Sequence, residues 1–157
     1  MRRLHWLMAL LLPSMVGFGL YFGSLARGSA WKALLLDLHA VLGLLLFVLA
    51  LTRLWVRHRL AAQLPESAIA RFTHRLFYGL MLVLPLLGLG VWASDPFVGG
   101  PALLGRDVWV GNLAERLHQL HYLGAWLLLL TLLAHVAGAF SRSRTGSHPM
   151  TRMLPPY

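Results

Sequence analysis

The sequence predicts an all-α fold, an integral membrane four-helix bundle with both termini in the cytoplasm. Composition is the first observation behind this prediction. Charged residues make up 12% of the 157 residues, about half the share usual in soluble domains, and hydrophobic residues make up 58%. The mean hydropathy is +0.67. A soluble domain of this size leaves about 30% of its unfolded-chain surface exposed, so it could not hide so many apolar side chains. Soluble, disordered and fibrous classes are therefore excluded.

The second observation is a set of four apolar stretches, each long enough to cross a bilayer, which takes about 20 helical residues. We expect spans at about residues 4–25, 33–56, 74–94 and 118–140 of a single domain covering 1–157, with a basic cytoplasmic tail at 141–157. The first stretch follows Arg2 and Arg3, as a signal peptide would. It is longer than the roughly 7–15 residues of a signal-peptide core, so we interpret it as a retained helix.

The third observation is the placement of basic residues, which predicts the orientation. Cytoplasmic loops carry an excess of Lys and Arg. One side of the membrane would hold ten of these residues and the other side four: Arg2, Arg3, Arg53, Arg57, Arg59, Arg71, Arg75, Arg142, Arg144 and Arg152, against Arg27, Lys32, Arg106 and Arg116. We therefore expect a multi-pass membrane protein with both termini in the cytoplasm. The net charge of +9 is a topology signal at the lipid surface and does not indicate nucleic-acid binding.

Histidines within the spans indicate a functional site, because an ionisable side chain inside lipid is costly. Of the eight histidines, four lie in the predicted spans. His5 and His135 lie near the cytoplasmic side, and His39 and His121 lie near the outer side. The four histidines therefore form two pairs, each at one depth in the membrane.

Iron ligation by these pairs is the chemistry that fits best. The 14 residues between His121 and His135 place both rings on nearly the same helix face, about 21 Å apart along the axis. Neutral imidazole is a good iron ligand, and two histidines at one depth can hold one haem from both faces. The chain has no cysteine, which excludes covalently attached haem and iron–sulfur clusters. We predict two non-covalent haem b groups, with His5/His135 and His39/His121 as axial ligands.

Alternatively, the histidines could be hydrogen-bonded packing residues or members of a proton relay. A copper or zinc site would need all its ligands at one depth, and these histidines lie at two. The matched pairs favour haem. Small residues one turn after three of the ligands would leave room for a flat macrocycle, and these are Gly43, Gly124 and Gly138.

Five segments carry a resemblance to a known family: LHWLMALLL (4–12), LHAVLGLLLFVLALTRLWVR (38–57), HRLFYGLMLVLPLLGLGVW (74–92), LHQLHYLGAWLLLLTLLAHVAGAF (117–140) and RMLP (152–155). Together they resemble the bacterial cytochrome b561 family of small four-helix dihaem cytochromes, which includes superoxide oxidase. The resemblance implies that His5 and His135 bind a cytoplasmic haem, and that His39 and His121 bind a periplasmic one. It also implies superoxide as a donor of electrons and a location in the bacterial inner membrane.

The leading functional hypothesis is electron transfer between a periplasmic-side donor and the quinone pool, with ubiquinone or menaquinone as partner. The alternative is a cytochrome b subunit that docks a separate dehydrogenase or other redox partner and relays its electrons to quinone. A third reading is a small transporter with a proton relay. The sequence assigns no catalytic residue.

Several polar residues near the span ends are secondary candidates. Arg53 and Arg57 share a helix face and would either pair with haem propionates or anchor the helix in the headgroups. His74, at the start of the third span, would have a structural or propionate-binding role. Three residues on the outer side would contact quinone or substrate: Lys32, Arg116 and His118.

Overall fold

The computed structural model describes residues 2–26, 29–60, 67–94 and 112–144. Within these ranges the helices are α1 (Arg2–Gly23), α2 (Ala30–Leu60), α3 (Ala68–Ser94) and α4 (Asn112–Arg144). Each helix is long and apolar enough to cross a membrane. The predicted all-α membrane fold is therefore confirmed. Helix α4 continues through residues 141–144, which the sequence assigns to the tail, and residues 145–157 lie outside the described part of the chain.

The helices alternate in direction. Consecutive helices pack against each other, and α1 also contacts α4, so the four form a closed ring. The start of α1 lies beside the end of α4, where the His5 and His135 rings meet. The starts of α2 and α4 lie side by side, where the His39 and His121 rings meet. We call these two ends of the bundle the His5 end and the His39 end.

An apolar core fills the middle of the bundle. Its buried residues come from all four helices and are Met8, Leu12, Met15, Leu46, Ala50, Met81, Leu84 and Leu128. Along every helix these positions fall between the two ends that carry the histidines. The core therefore separates the two histidine pairs.

The outside of the bundle is strongly apolar. Leu10 is 70% exposed, Val41 is 66% exposed and Leu123 is 64% exposed, and many other large hydrophobic side chains share this position. So extensive an apolar surface would promote aggregation in water. In a bilayer it faces acyl chains, where apolar side chains are favoured.

Candidate functional site

Two pairs of imidazole rings lie at opposite ends of the core. The ring centroids of His5 and His135 are 6.4 Å apart, and the ring planes are inclined at 65°. The centroids of His39 and His121 are 6.1 Å apart, with an inclination of 74°. We call these the His5 pair and the His39 pair. The structure brings together the same partners that matched depth predicts.

The spacing within each pair suits ligation of one metal ion from opposite sides. An imidazole nitrogen binds a metal ion at about 2 Å and lies about 1.1 Å from its ring centroid, so two rings on opposite sides of one ion have centroids about 6.2 Å apart. The observed separations of 6.1 Å and 6.4 Å bracket that value. Within the described residues, no cluster of three or more His, Asp or Glu side chains could hold a metal ion by itself. Each pair could therefore supply two ligands to one metal ion, whose remaining ligands would have to come from a cofactor such as a porphyrin.

The His121 ring is held against the backbone of α3. Its Nδ1 lies 3.0 Å from the carbonyl oxygen of Leu84, and because a carbonyl can only accept, Nδ1 donates. The proton therefore sits on Nδ1 and leaves Nε2 with its lone pair, which is the tautomer that a metal ligand needs. Gly88 makes this close approach possible, because a Cβ at that position would lie 2.9 Å from Cε1 of His121.

The His39 ring lies in an apolar environment. The Phe22 ring from α1 contacts it at a centroid distance of 5.1 Å, and a Cβ added to Gly19 would lie 3.6 Å from its Cε1. Nδ1 of His39 is buried and has no hydrogen-bond partner among the described residues. A buried polar atom without a partner is rare and requires an explanation. A group bound at Nδ1 itself would satisfy this atom, whereas ligation through Nε2 would leave it without a partner in the described part of the chain.

A cavity of about 1060 Å³ opens between the four helices beside the His39 pair. Its inner part is lined by apolar side chains of the core, and both rings of the pair contribute to its wall. Its polar lining comes from Ser24, Ser29, Lys32, Glu115 and His118. The volume lies at the upper limit of the roughly 300–1,000 Å³ usual for cofactor and ligand sites. The residues present therefore fit a large flat cofactor ligated by His39 and His121.

The His5 pair lies in more polar surroundings. Nη1 of Arg53 lies 2.8 Å from Nδ1 of His5. On the other side, the rings of His74 and Phe77 from α3 contact the His135 ring at centroid distances of 5.5 Å and 5.6 Å. Three imidazoles and a guanidinium group therefore lie together at this end of the bundle.

The bond between Arg53 and His5 fixes the tautomer of His5. A guanidinium group has only donors, so Nδ1 accepts and the ring proton sits on Nε2. Ligation of iron through Nε2 requires this proton to move to Nδ1 and the guanidinium group to turn away from Nδ1. The His5 pair would therefore hold a haem only after this rearrangement, and the displaced Arg53 guanidinium would then be available to pair with a propionate.

The carboxylates among the described side chains are Asp37 and Glu115, and both lie at the His39 end. Nε1 of Trp92 donates a hydrogen bond of 2.8 Å to Oδ1 of Asp37, which ties α3 to α2. Trp92 also lines the cavity. At the same end, Nε2 of Gln119 donates to Oε1 of Glu115 at 3.2 Å.

The structure places the secondary candidates as follows. Lys32 lines the cavity, but its Nζ donates to the carbonyl oxygen of Leu25 at 3.0 Å. His118 also lines the cavity, whereas Arg116 is exposed and is not among the described lining residues. Arg57 is exposed, one turn beyond Arg53 on α2.

Of the three glycines expected to leave room beside the ligands, Gly124 has a different role, whereas the space around Gly43 and Gly138 is nearly open and Gly43 lines the cavity. A Cβ on Gly124 would lie 2.6 Å from Cδ2 of Leu84, so this glycine serves the packing of α4 on α3. A Cβ on Gly43 would meet only Met15, at 3.7 Å, and one on Gly138 would meet only Arg142, at 3.9 Å. The glycines that lie against the ligand rings belong to other helices.

The sequence-based analysis missed Gly19, Gly88, the carbonyl group of Leu84 and the bond between Trp92 and Asp37. Each of these contacts joins two helices, so the register between the helices has to be known before it can be found. One signal was present in the sequence: an aspartate within a span requires a partner, and a tryptophan at the same depth could have supplied it.

Comparison with known proteins gives one family. A family model described as prokaryotic cytochrome b561 matches residues 1–156, which is nearly the whole chain. No curated protein and no solved structure matches the chain.

Proposed function

This chain belongs to the prokaryotic cytochrome b561 family, and from that premise we propose that it carries two haem b groups and transfers electrons between a donor on the outer side of the inner membrane and the quinone pool. Membership of the family makes it a membrane b-type cytochrome of electron transfer. The number of haems, the donor and the acceptor are the proposal.

The observation that carries the proposal is the presence of two imidazole pairs with centroid separations of 6.1 Å and 6.4 Å, one at each end of the core. His39 and His121 would hold one haem, and His5 and His135 would hold the other. A haem with two imidazole ligands supplies one-electron redox chemistry and has no open coordination position. The role of the protein is to fix the ligands, exclude water and set the potential.

Individual residues would support the two cofactors. The carbonyl group of Leu84 keeps Nε2 of His121 free of its proton. Arg53, which lies at the His5 pair, would neutralise a haem propionate there. Lys32 at the cavity would do the same at the His39 pair.

We propose superoxide as the donor, on the strength of the family resemblance. Each superoxide anion loses one electron and becomes dioxygen. Reduction of a quinone to quinol takes two electrons and two protons, so two superoxide anions balance one quinone. Lys32 and His118, which line the cavity, are the residues proposed to contact substrate or quinone at that end.

The excess of basic residues at the His5 end supports the proposed orientation, with that end in the cytoplasm. Under this orientation the His39 pair lies near the outer surface. The alternative function, a subunit that receives electrons from a docked redox protein, uses the same haems and differs only in the donor.

Haem content provides the first test. We expect the purified full-length protein, produced with sufficient haem, to contain two haem b groups per chain and to give a b-type reduced-minus-oxidised spectrum. A ratio of one haem per chain would contradict the dihaem proposal. The absence of a b-type spectrum would contradict the haem assignment altogether.

The donor is tested by mixing the oxidised protein with superoxide in a stopped-flow instrument, with superoxide dismutase added in the control. We expect rapid reduction of the haems, which the dismutase abolishes, and reoxidation by added quinone. Haems that remain oxidised with superoxide but are reduced in the presence of a membrane redox protein would overturn superoxide as donor and support the docking function.

A further inference from the structure

The described charges around the two histidine pairs differ, because they are all positive at the His5 end and of both signs at the His39 end. At the His5 end, the described basic residues are Arg2, Arg3, Arg53, Arg57, Arg59, Arg71, Arg75 and Arg142. Among the described side chains, no carboxylate lies at that end. Arg53 is in direct contact with a ligand, because its Nη1 lies 2.8 Å from Nδ1 of His5.

The His39 end combines both signs of charge. Its described basic residues are Lys32 and Arg116, and its described acidic residues are Asp37 and Glu115. Asp37 lies two residues before His39 on α2, and its carboxylate is fixed by the indole N–H of Trp92. Glu115 lines the same cavity as the His39 pair.

These charges act on iron in opposite directions. Oxidised iron carries one more positive charge than reduced iron, so a nearby cation disfavours the oxidised form and raises the reduction potential, whereas a nearby carboxylate lowers it. We propose that Arg53 raises the potential of the haem at the His5 pair and that Asp37 lowers the potential of the haem at the His39 pair. This inference rests on the proposed function.

The hydrogen bonds of the ligand rings change the difference between the two reduction potentials in the same direction as the charges do. Nδ1 of His121 donates to the carbonyl oxygen of Leu84, and such a bond makes an imidazole more basic and a better electron donor to oxidised iron. At the His5 pair, the group beside Nδ1 of His5 is the Arg53 guanidinium, which has only donors and has to turn away before the ring can bind iron through Nε2, so this contact gives no comparable hydrogen bond to an acceptor. The potential at the His39 pair is therefore lowered further relative to that at the His5 pair.

The order of potentials gives the reaction a direction. Electrons enter at the His39 end and are transferred to the haem at the His5 end, because that haem has the higher reduction potential. The donor is then oxidised at the His39 end, and the reaction that consumes electrons draws them from the His5 end. Arg53 would act from beside the His5 ring, whereas Asp37 would act through its charge from a different face of α2 than His39, held by Trp92, which lines the cavity.

A redox titration of the full-length dihaem protein tests this order, followed by absorbance and by electron paramagnetic resonance. The His39→Ala variant removes one ligand of the His39 pair, so the haem that it retains identifies the His5 centre. We expect the wild-type protein to show two potentials and the retained haem to correspond to the higher one.

Substitution of Arg53 then tests the cause. We expect Arg53→Gln to lower the potential of the His5 centre by about 59 mV, a tenfold change in the equilibrium constant of a one-electron step, and to leave the other centre unchanged. Arg53→Lys keeps the positive charge and should retain most of the wild-type potential. The matched control is Arg57→Gln, one exposed turn further along α2, which should shift the potential less.

Substitution of Asp37 tests the proposed effect of its carboxylate independently of Arg53. Asp37→Asn removes the charge and keeps an oxygen that can accept from Trp92, and we expect it to raise the potential of the His39 centre alone. The inference is overturned if the His5 centre has the lower potential, or if Arg53→Gln moves both centres equally or neither. Fewer than two haems in the wild-type protein would instead contradict the proposed function.

Discussion

The two ends of this bundle carry the same ligands in different surroundings. At the His39 end, the rings lie beside an apolar cavity, and one of them is fixed by the backbone carbonyl group of α3. At the His5 end, a guanidinium group contacts one ring and a third imidazole contacts the other. Helix α4 supplies one ligand to each pair, and these differing contacts come from α2 and α3. The ligand residues determine which cofactor could bind, and the residues around them would determine its reduction potential.

The largest expected effect comes from removing a ligand on α4. We expect His121→Ala and His135→Ala each to lose one of two haems, because each deletes a ligand of a different pair. Haem per chain and the low-spin resonance signals measure the loss, and the remaining signal should differ between the two variants.

The control for this comparison is His58→Ala, an exposed histidine near the end of α2, which should keep both haems. Loss of the same resonance signal in both α4 variants would show that the two pairs are not separate sites.

Gly88→Ala sharpens the comparison at the His39 end. The new Cβ would lie 2.9 Å from Cε1 of His121, so the ring has to shift away from α3. We expect the signal of the His39 centre to shift or weaken, the signal of the His5 centre to stay, and the free energy of unfolding to fall by about 1–3 kcal/mol.

Gly79→Ala is the matched control on the same helix, because nothing lies within 4 Å of its added Cβ. It should leave both haem signals unchanged and should stabilise α3 by about 0.5–1 kcal/mol, since alanine favours the helix. Equal spectra for the two variants would contradict the proposed contact at Gly88.

Trp92→Phe tests the hydrogen bond between Trp92 of α3 and Asp37 of α2 at the same end. It removes the donor to Asp37 and leaves a half-buried carboxylate without it. We expect the free energy of unfolding in detergent to fall by about 1–3 kcal/mol. In the double variant with Asp37→Asn, the free energy of unfolding should fall by less than the sum of the decreases in the two single variants, because the two residues share one hydrogen bond.

Trp31→Phe is the control for this prediction, since Trp31 lies at the same end and is 54% exposed. Its effect should stay within about 0.5 kcal/mol. A loss from Trp31→Phe as large as that from Trp92→Phe would mean that the hydrogen bond to Asp37 is not the cause.

The smallest expected effect is electrostatic. Lys32→Gln removes a cation at the cavity of the His39 end, and we expect it to slow reduction by superoxide about threefold at low ionic strength. The difference should disappear in high salt, because salt screens the attraction of an anion that approaches from solution. Lys32→Arg should behave as the wild type, and a difference that persists in high salt would exclude steering by charge.

The fold could be predicted from the sequence because the bilayer restricts the choices. Few charges, four apolar stretches and the requirement that backbone groups be satisfied in lipid leave a helical bundle as the solution. The partners in each histidine pair could also be predicted, because alternating helices convert sequence position into depth. His5 and His135 lie at one depth only if the helices run up and down, and the structure has them so.

The details of the site could not be predicted, because they depend on how the helices are rotated about their axes. Gly124 was expected beside a ligand on its own helix, and it packs against Leu84 of α3. Gly88, on a helix that supplies no ligand, receives the His121 ring. A sequence gives the face of one helix and does not say which face of the neighbour it meets.

The sequence by itself determined the membrane fold, the four ligand candidates and their division into two levels, because hydropathy and helical geometry act along one chain. Tertiary structure alone decided that a carbonyl group of α3 fixes the His121 tautomer and that Arg53 meets His5. Those contacts join residues that are 37 and 48 positions apart, and they form only when side-chain packing sets the rotation of one helix against another.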